Sequence, residues 1–340
     1  MSINLIKEFT VRAATMDDIP AIVELENADS LDITGEPSTD ESHLRAFFER
    51  PNLNIDTDVW LVHTPAGKLV GYGVFSDRAP HVNLWAWSAI HPDYRDQGIG
   101  DTLIELAEDR AREVIPLAPS DARIALYRNA NTKNKYITRL LPQHGYRSVR
   151  HSWRMKLELE AQPPAPVYPA GVRLRAIDPA RDALTIYRTV EDCFSDHWGY
   201  VAVPEEEGFT RLQHHMHTAP NFDPTLWFLA VQDTPDGEDI AGVILCAPFM
   251  PNDPAMAYIS TVGVTRDWRR QGVALAMLHS VFGELYRRGI ARVALHVDAQ
   301  SLTGATRLYE KAGMHVDQHY EEFEKELRPG QDLMTRTVED

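Results

Sequence analysis

The chain has 340 residues, 44% of them hydrophobic and 25% charged, and this length exceeds the ~100–200 residues of one ordinary domain, so two are expected. Its formal net charge of −16 lacks the basic footprint that a nucleic-acid backbone requires, so no nucleic-acid partner is expected. The opening MSINLIKEFTVRAAT has no secretory apolar core, and no run of about 18 apolar residues could span a bilayer, so no membrane is expected either. Only two cysteines occur, Cys193 and Cys246, without CxxC spacing; a cytoplasmic location and buried thiols fit them better than disulfides or zinc.

In chain order, each half begins with an apolar run ending in arginine, FTVRAAT with Arg12 and VRLRAID with Arg175. A helix is expected after each, from apolar residues at three- and four-residue spacing: Ile19, Ile22 and Val23, then Leu184, Tyr187 and Val190. Paired strands follow in DVWLVHTPAGKLVGYGVF and TLWFLAVQDTPDGEDIAGVILC, each with a glycine-containing turn. Trp60 matches Trp227 and Gly71 matches Gly242, so the chain contains an internal repeat.

The third strands, VNLWAWSAIHP and AMAYISTVGVT, run into the same phrase. It reads Arg95-Asp96-Gln97-Gly98-Ile99-Gly100 in the first half and Arg269-Arg270-Gln271-Gly272-Val273-Ala274 in the second. Amphipathic helices follow, through Leu103, Ala107 and Val114, or through Leu275, Leu278, Phe282 and Leu285, with Gly289 placed to end the second. The strands ARIALY and RVALHV complete a βαβ crossover in each half. Between the halves, ELEAQPPAPVYPAG is rich in proline and reads as an extended linker. The expected organisation is a first domain over 1–157, a linker over 158–171, a second domain over 172–330 and a tail over 331–340.

Successive backbone N–H groups in a turn that opens a helix form an anion cradle, aided by the helix dipole. Gly98 and Gly272 permit positive φ there, and Gly100 and Ala274 keep the approach close. One match to R-x-x-G-x-[GA] is weak evidence, since average residue usage yields about one chance match in five chains of this length. Two matches, each between a strand and an amphipathic helix, are not easily accidental. Neither a dinucleotide-binding G-x-G-x-x-G after a strand nor a P-loop occurs. His214, His215 and His217 have no carboxylate at ligand spacing, and no metal site is assigned.

The strand, glycine turn and helix resemble the acetyl-CoA-binding motif of the GNAT acetyltransferase superfamily. The segment HVDAQSLTGATRLYEKAGM resembles that family's later motif: Ala305, Leu308, Tyr309 and Gly313 match, while Leu302 stands where asparagine is common and Met314 where an aromatic is customary. The resemblance covers nearly the whole chain. It implies two tandem α/β domains, each a mixed, mostly antiparallel sheet flanked by helices, with acetyl-CoA as co-substrate. It further implies that Gln97 to Asp101 and Gln271 to Leu275 turn their N–H groups to the diphosphate. Ser88, Ala89 and Ile90, and Val262, Gly263 and Val264, would offer strand backbone to the pantetheine. The tandem layout, the DHWG loop and the late motif are similar to the mycothiol synthase branch, whose acceptor is the amine of a cysteine joined to an amino sugar.

Acetyl transfer from a thioester requires a neutral amine, a proton acceptor, oxyanion stabilisation and a proton donor to the leaving thiolate. The resemblance gives the donor's role to Tyr309. Aligning Gly145 with Gly313 sets Leu141 opposite it, so the first half lacks this donor and is expected to be non-catalytic. No carboxylate stands in Ala257-Tyr258-Ile259-Ser260-Thr261, where relatives often carry the base; His296 and Asp298 are the candidates, with a water chain to solvent as the alternative. Asp196, His197 and Trp198 follow the second half's first helix, where the family builds its acceptor site. The expected activity is transfer of acetyl to a small-molecule primary amine by direct attack in a ternary complex. The alternatives are a mycothiol synthase proper, an aminoglycoside or peptide acetyltransferase, and a non-catalytic acyl-CoA-binding regulatory module.

Overall fold

The computed structural model describes residues 9–251, 253–301 and 304–336. Contacts divide the chain into two units, with breaks after His151, Gln318 and Leu333. Residues up to 151 and 319–333 form the first unit; residues 152–318 and those from 334 onward form the second.

The first unit runs β1 (Thr10–Ala13), α1 (Ile19–Thr34), α2 (Glu41–Phe48), α3 (Ile55–Asp58), β2 (Val59–His63), β3 (Leu69–Ser76), β4 (Asn83–Ile90), α4 (Ile99–Val114), β5 (Ile124–Asn131) and α5 (Lys135–Gln143). After β6 (Arg147–Glu158) come β7 (Val172–Ala176), α6 (Pro179–Phe194), α7 (Glu205–Thr218), β8 (Trp227–Thr234), β9 (Gly237–Ala247), β10 (Met256–Val264), α8 (Val273–Arg287), β11 (Arg292–Asp298), α9 (Ala305–Lys311) and β12 (His315–Arg328). Local chemistry sets several helix starts. Asp40 accepts from the His43 N–H at 3.0 Å, Asn134 from Ile137 at 3.1 Å and Asp178 from Ala180 at 3.0 Å; each satisfies a donor that the helix leaves unpaired.

In the first unit β1, β2, β3 and β4 pair antiparallel in sequence. β4 then pairs parallel with β5, but only from Asn83↔Ala125 to Trp85↔Tyr127, while β4 continues to Ile90 along β3. The second unit repeats this plan. β7, β8, β9 and β10 are antiparallel, and β10 pairs parallel with β11 only from Met256↔Arg292 to Ile259↔Leu295. Beyond Ile259 the register of β10 on β9 shifts, a bulge at Ser260, and β10 runs on to Val264. The parallel partners have parted by then, so each unit carries a split between its two central strands. The second unit's core lies beside its split, where Ile259, Val273, Met277, Phe282 and Leu295 are buried.

Glycine is required where α8 and α6 press on the sheet. A Cβ on Gly242 would stand 2.6 Å from the Gly263 carbonyl oxygen, and one on Gly263 would stand 2.9 Å from Cys193 Cβ. Gly71 answers to Gly242 in the first unit, where a Cβ would meet Ile99 Cγ2 at 2.6 Å. The matched glycines therefore mark the close packing of sheet and helix in both halves.

The boundaries differ from the sequence expectation at two places. Residues 152–158 of β6 pair with β11, so they belong to the second unit instead of ending a first domain at 157. Residues 320–328 of β12 pair with β5, so the first unit takes chain expected in the second domain of 172–330. Glu324 fixes that pairing: buried, it accepts from Tyr127 Oη at 2.8 Å and from Arg123 Nη1 at 3.2 Å. Against the upward push of burial, these bonds hold its carboxyl at about 2. After Glu158 the expected linker has neither helix nor strand up to Val172. It is nevertheless tied down: Leu159 N–H donates to the Ala291 carbonyl at 2.8 Å, and the Tyr168 hydroxyl lies 2.8 Å from that of Ser280. Of the expected tail, residues 337–340 lie outside the described residues.

Candidate active site

The glycine turns adopt the conformation that an anion cradle needs. Arg270 and Gly272 have φ of 62° and 86°, and Asp96 and Gly98 have 59° and 79°. Left-handed residues alternating in this way curl successive N–H groups toward one side of the turn. The first N–H groups of α8 and α4 lack intrahelical acceptors and extend the same donor set. At Gly272 nothing stands within 4 Å of where a Cβ would be, so the second turn is open.

Other residues of the shared phrase brace the turn. Gln271 Nε2 donates to the Asp267 carbonyl at 2.8 Å, and Gln97 Nε2 to that of Asp93 at 3.2 Å. Arg269 donates to the carbonyls of Val264 at 3.2 Å and Cys193 at 3.1 Å and to the Asp196 carboxylate. Arg95 reaches Asp29 at 2.7 Å and Asp32 at 2.6 Å. Asp196, expected to meet substrate, is thus engaged by Arg269, whose hydrogen bond holds its carboxyl below the usual range.

In the second unit the split leads from this turn to a group of polar side chains. Val262 and Val264 are half-buried on β10 and, with Leu275, Ala305 and Leu308, pack against the core. Gly263 between them is buried, set against Cys193. Tyr309, on α9, is 8% exposed; burial, and secondarily the neighbouring Tyr258, push its hydroxyl up to about 12. The Tyr258 hydroxyl lies 3.0 Å from His296 Nδ1, joining β10 and β11 near the point where they part. His296 keeps an exposed face, yet the protein packed around it and the Arg154 guanidinium lower its pKa to about 4. Its imidazole is therefore neutral at pH 7.

Asp298 ends β11, and its carboxylate accepts from the Gln300 N–H at 2.9 Å. It also lies close enough to His197 to raise that residue's pKa, although burial lowers it overall. The structure thus brings Tyr309, His296 and Asp298 to one end of one split, with the loop of Asp196, His197 and Trp198 beside it. Leu302, in the late motif, lies outside the described residues. Sequence reasoning missed Tyr258; its signal was a phenol at the strand position where a carboxylate was sought.

The first unit has the same frame with different contents. Ser88, Ala89 and Ile90 lie on β4 beyond its parting from β5. Leu141, opposite Tyr309, is fully buried. Tyr136 sets its hydroxyl at the glycine turn, where a Cβ on Gly100 would collide with it. Burial, and secondarily the nearby Asp101 and Asp96 carboxylates, push that hydroxyl up to about 12. One of the donors expected to face a second diphosphate from Gln97 to Asp101, that of Gly100, therefore has a phenol beside it.

Cys193 and Cys246 are free and buried. Among the described residues no group of three or more His, Cys, Asp or Glu side chains is arranged to hold a metal, and no helix is long and apolar enough to cross a membrane. His215 stacks on Trp227 with ring centroids 6.0 Å apart, and His217 Nδ1 lies 2.6 Å from the Gln213 carbonyl oxygen.

Comparison with known proteins agrees with this frame. The model of the acetyltransferase (GNAT) family matches residues 19–131 and 184–314. The mycothiol acetyltransferase of Arthrobacter sp. (strain FB24) is 26% identical over 91% of this chain and 89% of its own length. That of Salinispora arenicola (strain CNS-205) is 30% identical over 74% of this chain and 76% of its own. The crystal structure of a GCN5-related N-acetyltransferase from Sphaerobacter thermophilus superposes with a TM-score of 0.81 at 35% identity, covering 98% of this chain and 100% of that one. A tandem GNAT protein from the clavulanic acid biosynthesis pathway shares the fold, with a TM-score of 0.73 at 16% identity over 95% of this chain and 100% of that one. The chain belongs to the GNAT acetyltransferase family, with a tandem architecture and acetyl-CoA as its acetyl donor.

Proposed function

We propose that the second unit transfers acetyl from acetyl-CoA to the primary amine of a small molecule by direct attack, with both substrates bound together in the β10/β11 split. The N–H groups from Gln271 to Leu275 receive the diphosphate, and the β10 backbone from Val262 to Val264 takes the pantetheine. Arg269 and Gln271 brace that turn, Arg270 and Ala274 border it, and Val273 anchors it in the core. The attacking amine must arrive neutral and lose a proton as the new C–N bond forms. His296, neutral at pH 7 and coupled to Tyr258, is the acceptor we assign, with Asp298 beside the acceptor loop.

The observation that carries this reading is Tyr309, whose buried hydroxyl stays protonated up to about pH 12. A thiolate whose conjugate acid has a pKa near 8.5 is less basic than tyrosinate, so the transfer is uphill in water. It becomes useful as the C–S bond breaks and charge builds on sulfur in a buried site, where an uncompensated thiolate is costly. Leu141 in the first unit offers no such group.

The acceptor fits an amine joined to a polar ring. Relatives of this chain are named mycothiol acetyltransferases, which supports that class, and His197 and Trp198 offer one polar and one aromatic face. The two buried free thiols fit a reducing cytoplasm. Acetyl-CoA-dependent thiol release, measured over a panel of amines that includes cysteinyl-glucosamine, tests the proposal. Turnover with an amino-sugar conjugate supports it; tight acetyl-CoA binding with no turnover across the panel would favour the regulatory module.

A further inference from the structure

The two glycine turns share a backbone but not their surroundings, and the differences fall at matched positions. With Gly145 set on Gly313, Tyr136 answers to Gly304, and Arg128 on β5 answers to His296 on β11. At Gly304 nothing stands within 4 Å of where a Cβ would be. At Tyr136 the phenol stands against Gly100, on the space that a Cβ there would take.

Arg128 acts at the other end of the split. It is buried, and from β5 its guanidinium reaches the Ser88 hydroxyl on β4 at 3.5 Å and the Leu103 carbonyl on α4 at 3.4 Å. It therefore bridges the strands where they part. The charges of the turn differ too: Asp96 and Asp101 stand where the second unit has Arg270 and Leu275. Asp96 is paired with Arg139, and Asp101 with His144 at 2.8 Å. A diphosphate entering there would have to displace the phenol and lie beside two carboxylates already paired, Asp96 with the Arg139 guanidinium and Asp101 with the His144 imidazole. Like charge beside the turn opposes such binding, tempered by solvent because Asp96 is exposed and Asp101 half-exposed.

We propose that the first unit's cleft is closed to acetyl-CoA by this chain's own side chains, with Tyr136 as the residue that decides it, so that each chain binds one acetyl-CoA. This rests on the assignment of the second turn as the donor site. The glycine turn is also part of the first unit's packing: Gln97 ties it to the Asp93 carbonyl, and Ile99 at the start of α4 sits against Gly71 on β3.

Calorimetric titration of the full chain with acetyl-CoA tests the closure. The expected stoichiometry is one in the wild type and zero after Gly272→Val, and Gly98→Val leaves it at one in folded protein. Tyr136→Gly combined with Asp96→Arg raises it to two without changing the turnover per chain. Two equivalents in the wild type, or one that survives Gly272→Val, overturns the proposal without any reliance on the opened variant. A wild type that binds none would instead contradict the second turn's assignment, and with it the stoichiometry of one per chain.

Discussion

At the scale of single residues, the chemistry of the second split depends on how burial sets protonation. Tyr309 is held protonated and His296 neutral, so a donor and an acceptor coexist at pH 7. The shift at His296 has a measurable consequence for stability. In the unfolded chain its imidazole protonates near the ordinary value of 6.5, and in the folded chain only near 4. The stability of the neutral form is therefore complete above about pH 6.5 and is lost as pH falls toward 4. Urea unfolding of the wild type should show this loss, and His296→Gln should show a smaller one over the same window. Parallel pH dependences in the two proteins would mean that the folded protein does not disfavour the His296 imidazolium.

At the scale of elements, the acceptor loop after α6 is held by a short segment near the C-terminus. Gly199 N–H donates to the Thr335 carbonyl at 2.9 Å, and Thr335 N–H to that of Tyr200 at 2.9 Å. The Thr335 hydroxyl donates to the Ser195 carbonyl at 3.2 Å, and the Arg336 guanidinium stands 5.2 Å from the centre of the Trp198 ring. These contacts order the loop that carries His197 and Trp198. Removing residues 334–340 should raise the KM for the amine roughly tenfold, the loss of about one net hydrogen bond's stabilisation, and leave acetyl-CoA affinity unchanged. An unchanged KM for the amine would show that the segment does not order the acceptor site. Nothing in the sequence around Thr335 signals this role, because its partners are more than a hundred residues away.

At the scale of the whole chain, much of the plan was legible because it is written locally and twice. Strand alternation, the Trp60/Trp227 and Gly71/Gly242 matches and the glycine turns all depend on neighbouring residues. The reassignment of residues 319–328 to the first unit was not legible, because a strand's sequence does not name the strand it pairs with. Tyr136 and Arg128 were missed for a related reason: their effect lies in what they touch across the turn and the split. The acidic replacements Asp96 and Asp101 were visible, and they are the signal that could have separated the two turns.

The central claim is that the chain has one transfer site, in the second unit, with Tyr309 as its acid. The most direct test is the turnover of Tyr309→Phe measured beside its acetyl-CoA affinity. Turnover should fall by about 10²–10⁴-fold, the range for lost acid catalysis, while acetyl-CoA binds as in the wild type. Near-normal turnover in the folded variant would contradict the account.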